Sequence, residues 1–288
     1  MNAIVSPRLG VLALLVIATT FGSNHVAARV AFDHGTSVTA AVAIRSGFTA
    51  LFLLGLMRVS GVAMALPRST LYRALAIGLL IAVQSFCLYS AVALIPVALA
   101  LLAFNTFPIL LAFFSWISGG EAPRRTALLA MPIAVVGLAL ALDVFGKPVD
   151  PAGIAWGLGA AATFALALLL TTRWLKDVDG RLRTFLTMGV TAVVVLVAGL
   201  ASDAFTFPQA TAGWVGLALL TVLYGAAITS LFIVLPLLGP ANYAVVLNFE
   251  PIAVLFLAWA ILGQAVAPLQ IVGAFLVVGA IVLTALRR

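Results

Sequence analysis

The chain has 288 residues, 65% of them hydrophobic and only 8% charged; soluble domains carry about a quarter charged residues, so the composition excludes a water-soluble fold and makes lipid the solvent. The net charge of +7 would fit nucleic acid in a soluble protein, but basic residues in a membrane protein sort by side and must first be placed. Cys87 is the only cysteine, which excludes an intrachain disulfide, and no Cys/His spacing points to a metal site.

A bilayer-crossing helix needs about 20 apolar residues. Ten such runs follow in order, roughly 9–31, 36–57, 71–93, 96–118, 124–143, 152–172, 183–201, 211–236, 240–262 and 267–286. The predicted fold is therefore an all-α integral membrane protein with ten transmembrane helices. The first run follows Arg8 and has no small-residue cleavage site, so it reads as a span and not a removable signal. Span 1 carries Ser23, Asn24 and His25; span 2 carries Arg45; span 3 carries Gln84, Ser85 and Tyr89. Span 4 holds Asn105 and Pro108, span 6 holds Trp156 and the close-packing pair Gly153 and Gly157, and span 8 holds Tyr224, Thr229 and Ser230. Span 9 holds Asn248, Glu250 and Pro251. Spans 5 and 10 are the most uniformly apolar and are expected at the periphery. Loops are short and marked by prolines at or near run ends, such as Pro67, Pro123, Pro208 and Pro268.

With the N-terminus inside, twelve basic residues collect at inner ends (Arg8, Arg58, Arg68, Arg73, Arg124, Arg125, Arg173, Lys176, Arg181, Arg183, Arg287, Arg288). Only Arg29 and Lys147 fall at outer ends. The positive-inside rule then places both termini in the cytoplasm and the chain in the cell's inner (plasma) membrane, and it favours an even span count. The basic balance is thus mostly topology, and no nucleic-acid partner is expected.

Sliding the sequence along itself by 143 residues pairs Gly10 with Gly153, Phe21 with Phe164, Asn105 with Asn248, Pro108 with Pro251, Trp116 with Trp259 and Gly120 with Gly263. Spans 1–5 and 6–10 therefore read as two copies of one unit, residues 1–145 and 146–288. Five is odd, so the second copy enters from the opposite side. Inverted repeats of this kind are a common transporter plan, with the substrate site near midplane between the halves.

Phe21-Gly22-Ser23-Asn24-His25-Val26 with Arg29 resembles the first-helix motif of the EamA branch of the drug/metabolite transporter superfamily. The stretches YSAVALIPVALALLAFNTFPILLAFFSWISGGE and LPLLGPANYAVVLNFEPIAVLFLAWAILGQ resemble the family's two copies of a helix–loop–helix with a Pro-centred helix. The resemblance covers the whole chain. It implies a ten-helix, two-repeat carrier that exports amino acids or other metabolites, and the layout is most similar to aromatic amino-acid exporters of the YddG type. Two positions depart from the family pattern: Phe21 stands for the usual Trp, and Gln264 for the Glu that the first copy keeps as Glu121.

A charge at the bilayer centre costs roughly 2.5–3.5 kcal/mol on insertion scales, so intramembrane ions face protein or water. Arg45 and Glu250 are the two near midspan. One reading pairs or hydrogen-bonds each to hold helices together. The other has both face a cavity and meet a zwitterion, carboxylate to Arg45 and ammonium to Glu250. A third lets Glu250 take up a proton and couple transport to the proton gradient. Pro108 and Pro251 each remove a backbone donor, and are expected to kink spans 4 and 9, shape gating, and leave an open carbonyl beside Asn105 and Asn248. Asn24, His25, Gln84, Tyr89, Trp156 and Tyr224 complete the expected lining of the substrate cavity, with Trp116, Tyr243 and Trp259 as further aromatic candidates and Trp174 and Trp214 as interface anchors. Partners are a small-molecule substrate and the lipid bilayer; no cofactor and no catalytic residue is expected, and oligomeric state is left open. A membrane enzyme would need a nucleophile–base pair or metal cluster. A channel would need charge rings or a filter-like loop.

Overall fold

A computed structural model of the chain describes residues 7–119, 149–238, 249–264 and 267–285, with short helical pieces between 132 and 140. The described residues contain helices and no strand: α1 (Pro7–Asp33), α2 (Val38–Val59), α3 (Arg68–Leu94), α4 (Val97–Phe104), α5 (Phe107–Ile117), α6 (Pro151–Trp174), α7 (Gly180–Ala201), α8 (Thr211–Leu238), α9 (Glu250–Leu262) and α10 (Pro268–Ala285). Seven helical stretches among them are long and apolar enough to cross a membrane, α4 and α5 together forming one; α9 and α10 are shorter apolar helices. Most of the expected span 5 and the first half of span 9, with Asn248 and Tyr243, lie outside the described residues.

Local chemistry fixes the helix ends. Ser37 caps α2 by accepting from the Ala40 N–H, Asp150 caps α6 by accepting from Ala152, and Asp179 caps α7 by accepting from Arg181. Gly263 ends α9 in the left-handed region at φ 63°, where a residue without Cβ is unstrained. Span 4 corrects the expected kink. The helix is interrupted: α4 ends at Phe104, Asn105 and Thr106 form a turn, and α5 restarts with Pro108 in its first turn. Pro251 likewise sits in the first turn of α9. A proline without an N–H costs nothing in a first turn, where that donor has no helical acceptor.

Two ends of the bundle are distinguishable. At one end the turn after α1 meets the loop after α7, through Ser37 N–H to the Thr206 carbonyl at 3.1 Å and Gln209 N–H to the His34 carbonyl at 3.2 Å. At the other end Arg173 donates to the Ser118 hydroxyl at 2.9 Å. Interhelix packing is even-handed. The main neighbours of α1 are α8 and α9, while α6 packs on α3, α4 and α5; α2 packs on α7 and α8, and α7 on α2 and α3.

Small residues bring these helices together. A Cβ on Gly153 would fall onto the Ile95 side chain, and one on Gly157 would come within 2.8 Å of the Ala103 Cβ. The Gly153/Gly157 patch therefore seats α6 against the α3–α4 corner of the same chain. Outward faces are apolar, with Leu51, Phe52, Val197, Leu200, Phe256 and Phe275 exposed, as lipid-facing surface requires. Trp116 and Trp259 stand on such faces, 49% and 59% exposed, each beside a phenylalanine one turn earlier. They are not cavity walls.

Candidate substrate site

The buried polar residues of α1, α2 and α3 meet in one cluster that α8 and α9 close. Tyr89 of α3 is its hub. Its ring is almost fully buried, its hydroxyl donates to Asn24 Oδ1 at 2.8 Å, and Arg45 Nη1 donates to that hydroxyl at 3.3 Å. Arg45 Nη2 donates to the Ser85 hydroxyl at 3.1 Å, and Ser85 makes a long contact of 3.4 Å to Gln84 Oε1. The arginine lies between two aromatic rings, its Cζ 3.9 Å from the Tyr224 centroid and 4.9 Å from that of Tyr89. Such contacts are worth about 2 kcal/mol each when desolvated, which offsets part of the cost of holding a cation only 3% exposed. Its Nε is buried with no hydrogen-bond partner among the described residues.

One residue beyond Asn24, His25 points to α9. Its Nε2 lies 3.3 Å from Glu250 Oε1, and its ring tilts against Tyr89 at 5.7 Å between centroids. Glu250 opens α9, so the positive end of the helix dipole also faces its carboxylate. The histidine side chain is nearly buried and the glutamate partly open. Gly22 makes this approach geometrically feasible: a Cβ there would meet Val254 Cγ2 at 2.9 Å. The glycine of the first-helix motif thus lets α1 lie on α9 one turn below His25.

Arg29 has a role that sequence reasoning missed. It was legible as an outer-end charge and as part of the first-helix motif, with no partner assigned. Its Nη1 donates to the carbonyls of Val92, Ala93 and Ile95 while Nε pairs with Asp33 at 2.9 Å. This closes the C-terminus of α3 one turn past Tyr89 and holds Asn24 in register with it.

Of the sequence-predicted residues, Asn24, His25, Arg45, Gln84, Tyr89, Tyr224 and Glu250 come together. Arg45 and Glu250 are not each other's partner; the glutamate meets His25. Asn105 is buried in the turn after α4, and its amide donates to the Leu101 carbonyl of that helix at 2.7 Å. Trp156 stands apart, edge-to-face on Phe86 at 6.0 Å and 39% exposed. A small cavity of about 40 Å³ between α4, α9 and α10 is lined by Leu99, Leu102, Pro251, Gln264 and Gln270 among others. It touches the polar cluster's surroundings only at Pro251. Among the described residues no group of three His, Cys, Asp or Glu could hold a metal ion.

The profile of the EamA-like transporter family matches residues 8–142 and again 151–286. The chain belongs to the EamA-like transporter family. It is accordingly a multi-pass membrane transporter of small molecules, of a family of transporters and not of enzymes. A solved crystal structure shares the fold with a TM-score of 0.67, at 17% identity over 97% of this chain and 99% of its own. No curated protein sequence matches the chain. In this EamA-like protein the first-helix motif supplies Gly22, Asn24, His25 and Arg29, which are the α1 part of the cluster.

Proposed function

We propose that this EamA-like protein exports amino acids, aromatic or otherwise apolar, by alternating access between two inverted five-helix units, residues 1–145 and 146–288. The observation that carries the reading is the buried polar cluster at the seam: Asn24, His25, Arg45 and Tyr89 from the first unit face Tyr224 and Glu250 from the second. The repeat is supported by the main packing pairs, which are kept when α1 is exchanged with α6, α2 with α7, α3 with α8, and α4–α5 with α9; inversion is supported by the start of α2 lying beside the end of α7. Helix starts echo the repeat too, at residues 68 and 211 and at 107 and 250. The interrupted span 4 puts half-helix ends near the centre, a common setting for transporter sites.

In this mechanism the solute enters the seam from the cytoplasm, where both termini lie, in the inner membrane. The halves rock, the inner side closes and the outer side opens. Phe21, Tyr89 and Tyr224 offer aromatic surface to an apolar side chain, as expected of a YddG-type exporter. The His25–Glu250 pair is the group placed to exchange a proton during the cycle. Reconstituted vesicles test the proposal, with a panel of amino acids and other metabolites run with and without a pH gradient. Saturable flux with counterflow of amino acids is expected. Linear, electrically measurable flux would make the protein a channel, and counterflow of other metabolites alone would remove the amino-acid assignment.

A further inference from the structure

Arg45 and Glu250, the two charged residues of the cluster, are not each other's partner. Glu250 is already met by His25 at 3.3 Å. Arg45 faces no carboxylate among the described residues: its two terminal nitrogens donate to the neutral hydroxyls of Tyr89 and Ser85, and its Nε is buried and unused. The neighbouring Ser46 hydroxyl and that of Thr229 on α8 are also buried without partners. Arginine keeps its charge in proteins and presents a planar fork that matches a carboxylate. A buried cation without a counter-ion is costly inside a membrane, and the two tyrosine faces relieve that cost only in part.

We propose that Arg45 is the receptor for the substrate's carboxylate, and that the site selects for the acid group of its solute and not for an ammonium group. The inference rests on the transporter reading above and names its recognition element. Tyr224 acts as the cover. It reaches the guanidinium from α8, whereas Arg45 and Tyr89 come from α2 and α3. Separation of α8 from α2 lifts one aromatic face, uncovers the free Nε, and admits the carboxylate beside it. On closure the Tyr224 ring returns over an arginine whose charge the substrate now balances. Glu250 already has the His25 ring nitrogen at 3.3 Å, so substrate recognition is assigned to Arg45 alone.

The test uses the purified full chain and sets of molecules that share one body. 3-Phenylpropionate, phenylalanine and phenethylamine form one set; hexanoate, norleucine and hexylamine form the other. In at least one set the acid and the amino acid bind, and the amine binds about thirtyfold more weakly or not at all. Arg45→Gln removes acid binding. Arg45→Lys keeps the charge but loses the fork, and binds the acid about tenfold more weakly with the order of preference intact. If Arg45→Gln does not fold, Arg45→Lys and the acid-to-amine ratio of the parent protein decide. Amine binding equal to or better than acid binding, unchanged acid affinity in Arg45→Gln, or no acid bound in either set overturns the proposal. Vesicle counterflow of an amine with its acid rejected overturns the Arg45 assignment alone and leaves the carrier standing.

Discussion

Phe107 and Glu250 occupy the same place in the two halves, each opening the helix whose first turn holds the proline. Their surroundings diverge. Phe107 closes a ring cluster with Phe104 of α4 and Phe164 of α6, at centroid distances of 5.5 and 4.9 Å. Glu250 meets His25 of α1. The 143-residue offset that pairs Phe107 with Glu250 also pairs Leu168 with His25, Ala167 with Asn24, and Met188 with Arg45. One half-to-half contact is thus dry and aromatic, and its counterpart is polar and charged. Duplication supplies the scaffold; the loss of symmetry at these positions supplies the chemistry. A buried polar group needs a partner, and Asn24, His25, Arg45 and Glu250 on the wet side each have at least one. Apolar partners on the dry side require none.

The largest effect should come from forcing the dry contact to resemble the wet one. Phe107→Glu puts a carboxylate among Phe104 and Phe164 with no cation supplied, at a cost of about 3 kcal/mol. Thermal unfolding of the purified protein reads this as a marked fall in midpoint. Adding Leu168→His, which recreates the other half's pair, should restore part of the loss. A single variant as stable as the parent would mean that this contact is already wet.

Converting the wet contact is next in size. Glu250→Gln keeps shape and removes the charge that His25 faces; transport in vesicles should fall about tenfold, equivalent to roughly 1.4 kcal/mol, and lose its pH dependence. Near-normal, still pH-dependent export would remove the proton role from Glu250. The two prolines separate more gently. Pro251→Ala lets an N–H return beside the charged pair and should slow transport several-fold with expression unchanged, whereas Pro108→Ala beside the aromatic cluster should have less effect. Equal transport in Pro251→Ala and the parent would show that this proline is only a matter of shape.

How much of this was legible follows from the range of each signal. Apolar length and charge asymmetry are local or summed along the chain, so the order of helices was readable, and α3 and α8 begin within a few residues of expectation. Repetition is a comparison of the chain with itself, so the Asn–Pro–Trp–Gly echo singled out Glu250 as its exception. Pairing is different. His25 and Glu250 lie on helices at opposite ends of the sequence, and no periodicity joins them; the choice among His25, Arg45 and substrate depended on which helices touch. Gly22 settles that contact by its size, a property visible in the sequence but uninterpretable without the facing Val254. Trp156 misled for a related reason. Tryptophan suits both a cavity wall and a lipid-facing flank, and only the direction of its helix face separates the two.

The smallest effect tests whether the same contrast reaches the helix ends. Ser37 caps α2 with a hydroxyl, and Asp179 caps its counterpart α7 with a carboxylate. The side-chain hydrogen bond from Arg181 holds the Asp179 carboxyl below its ordinary range. Its stabilising contribution is therefore complete above about pH 4, the value for an unperturbed carboxylate, and is lost as pH falls through the lower folded value, where the unfolded chain already holds the proton. Asp179 is 38% exposed, so screening limits the ion pair, and the cap as a whole is worth about 1 kcal/mol or less. Asp179→Ser should cost a few tenths of a kcal/mol at neutral pH, within the range for exchanging one good cap for another, and should flatten part of the acid limb of stability. Ser37→Asp should add such a limb at the opposite end of the bundle. Melting temperatures of the three proteins between about pH 6 and pH 3 decide it; identical acid limbs in the parent and Asp179→Ser would mean that the carboxylate carries none of the cap's stability.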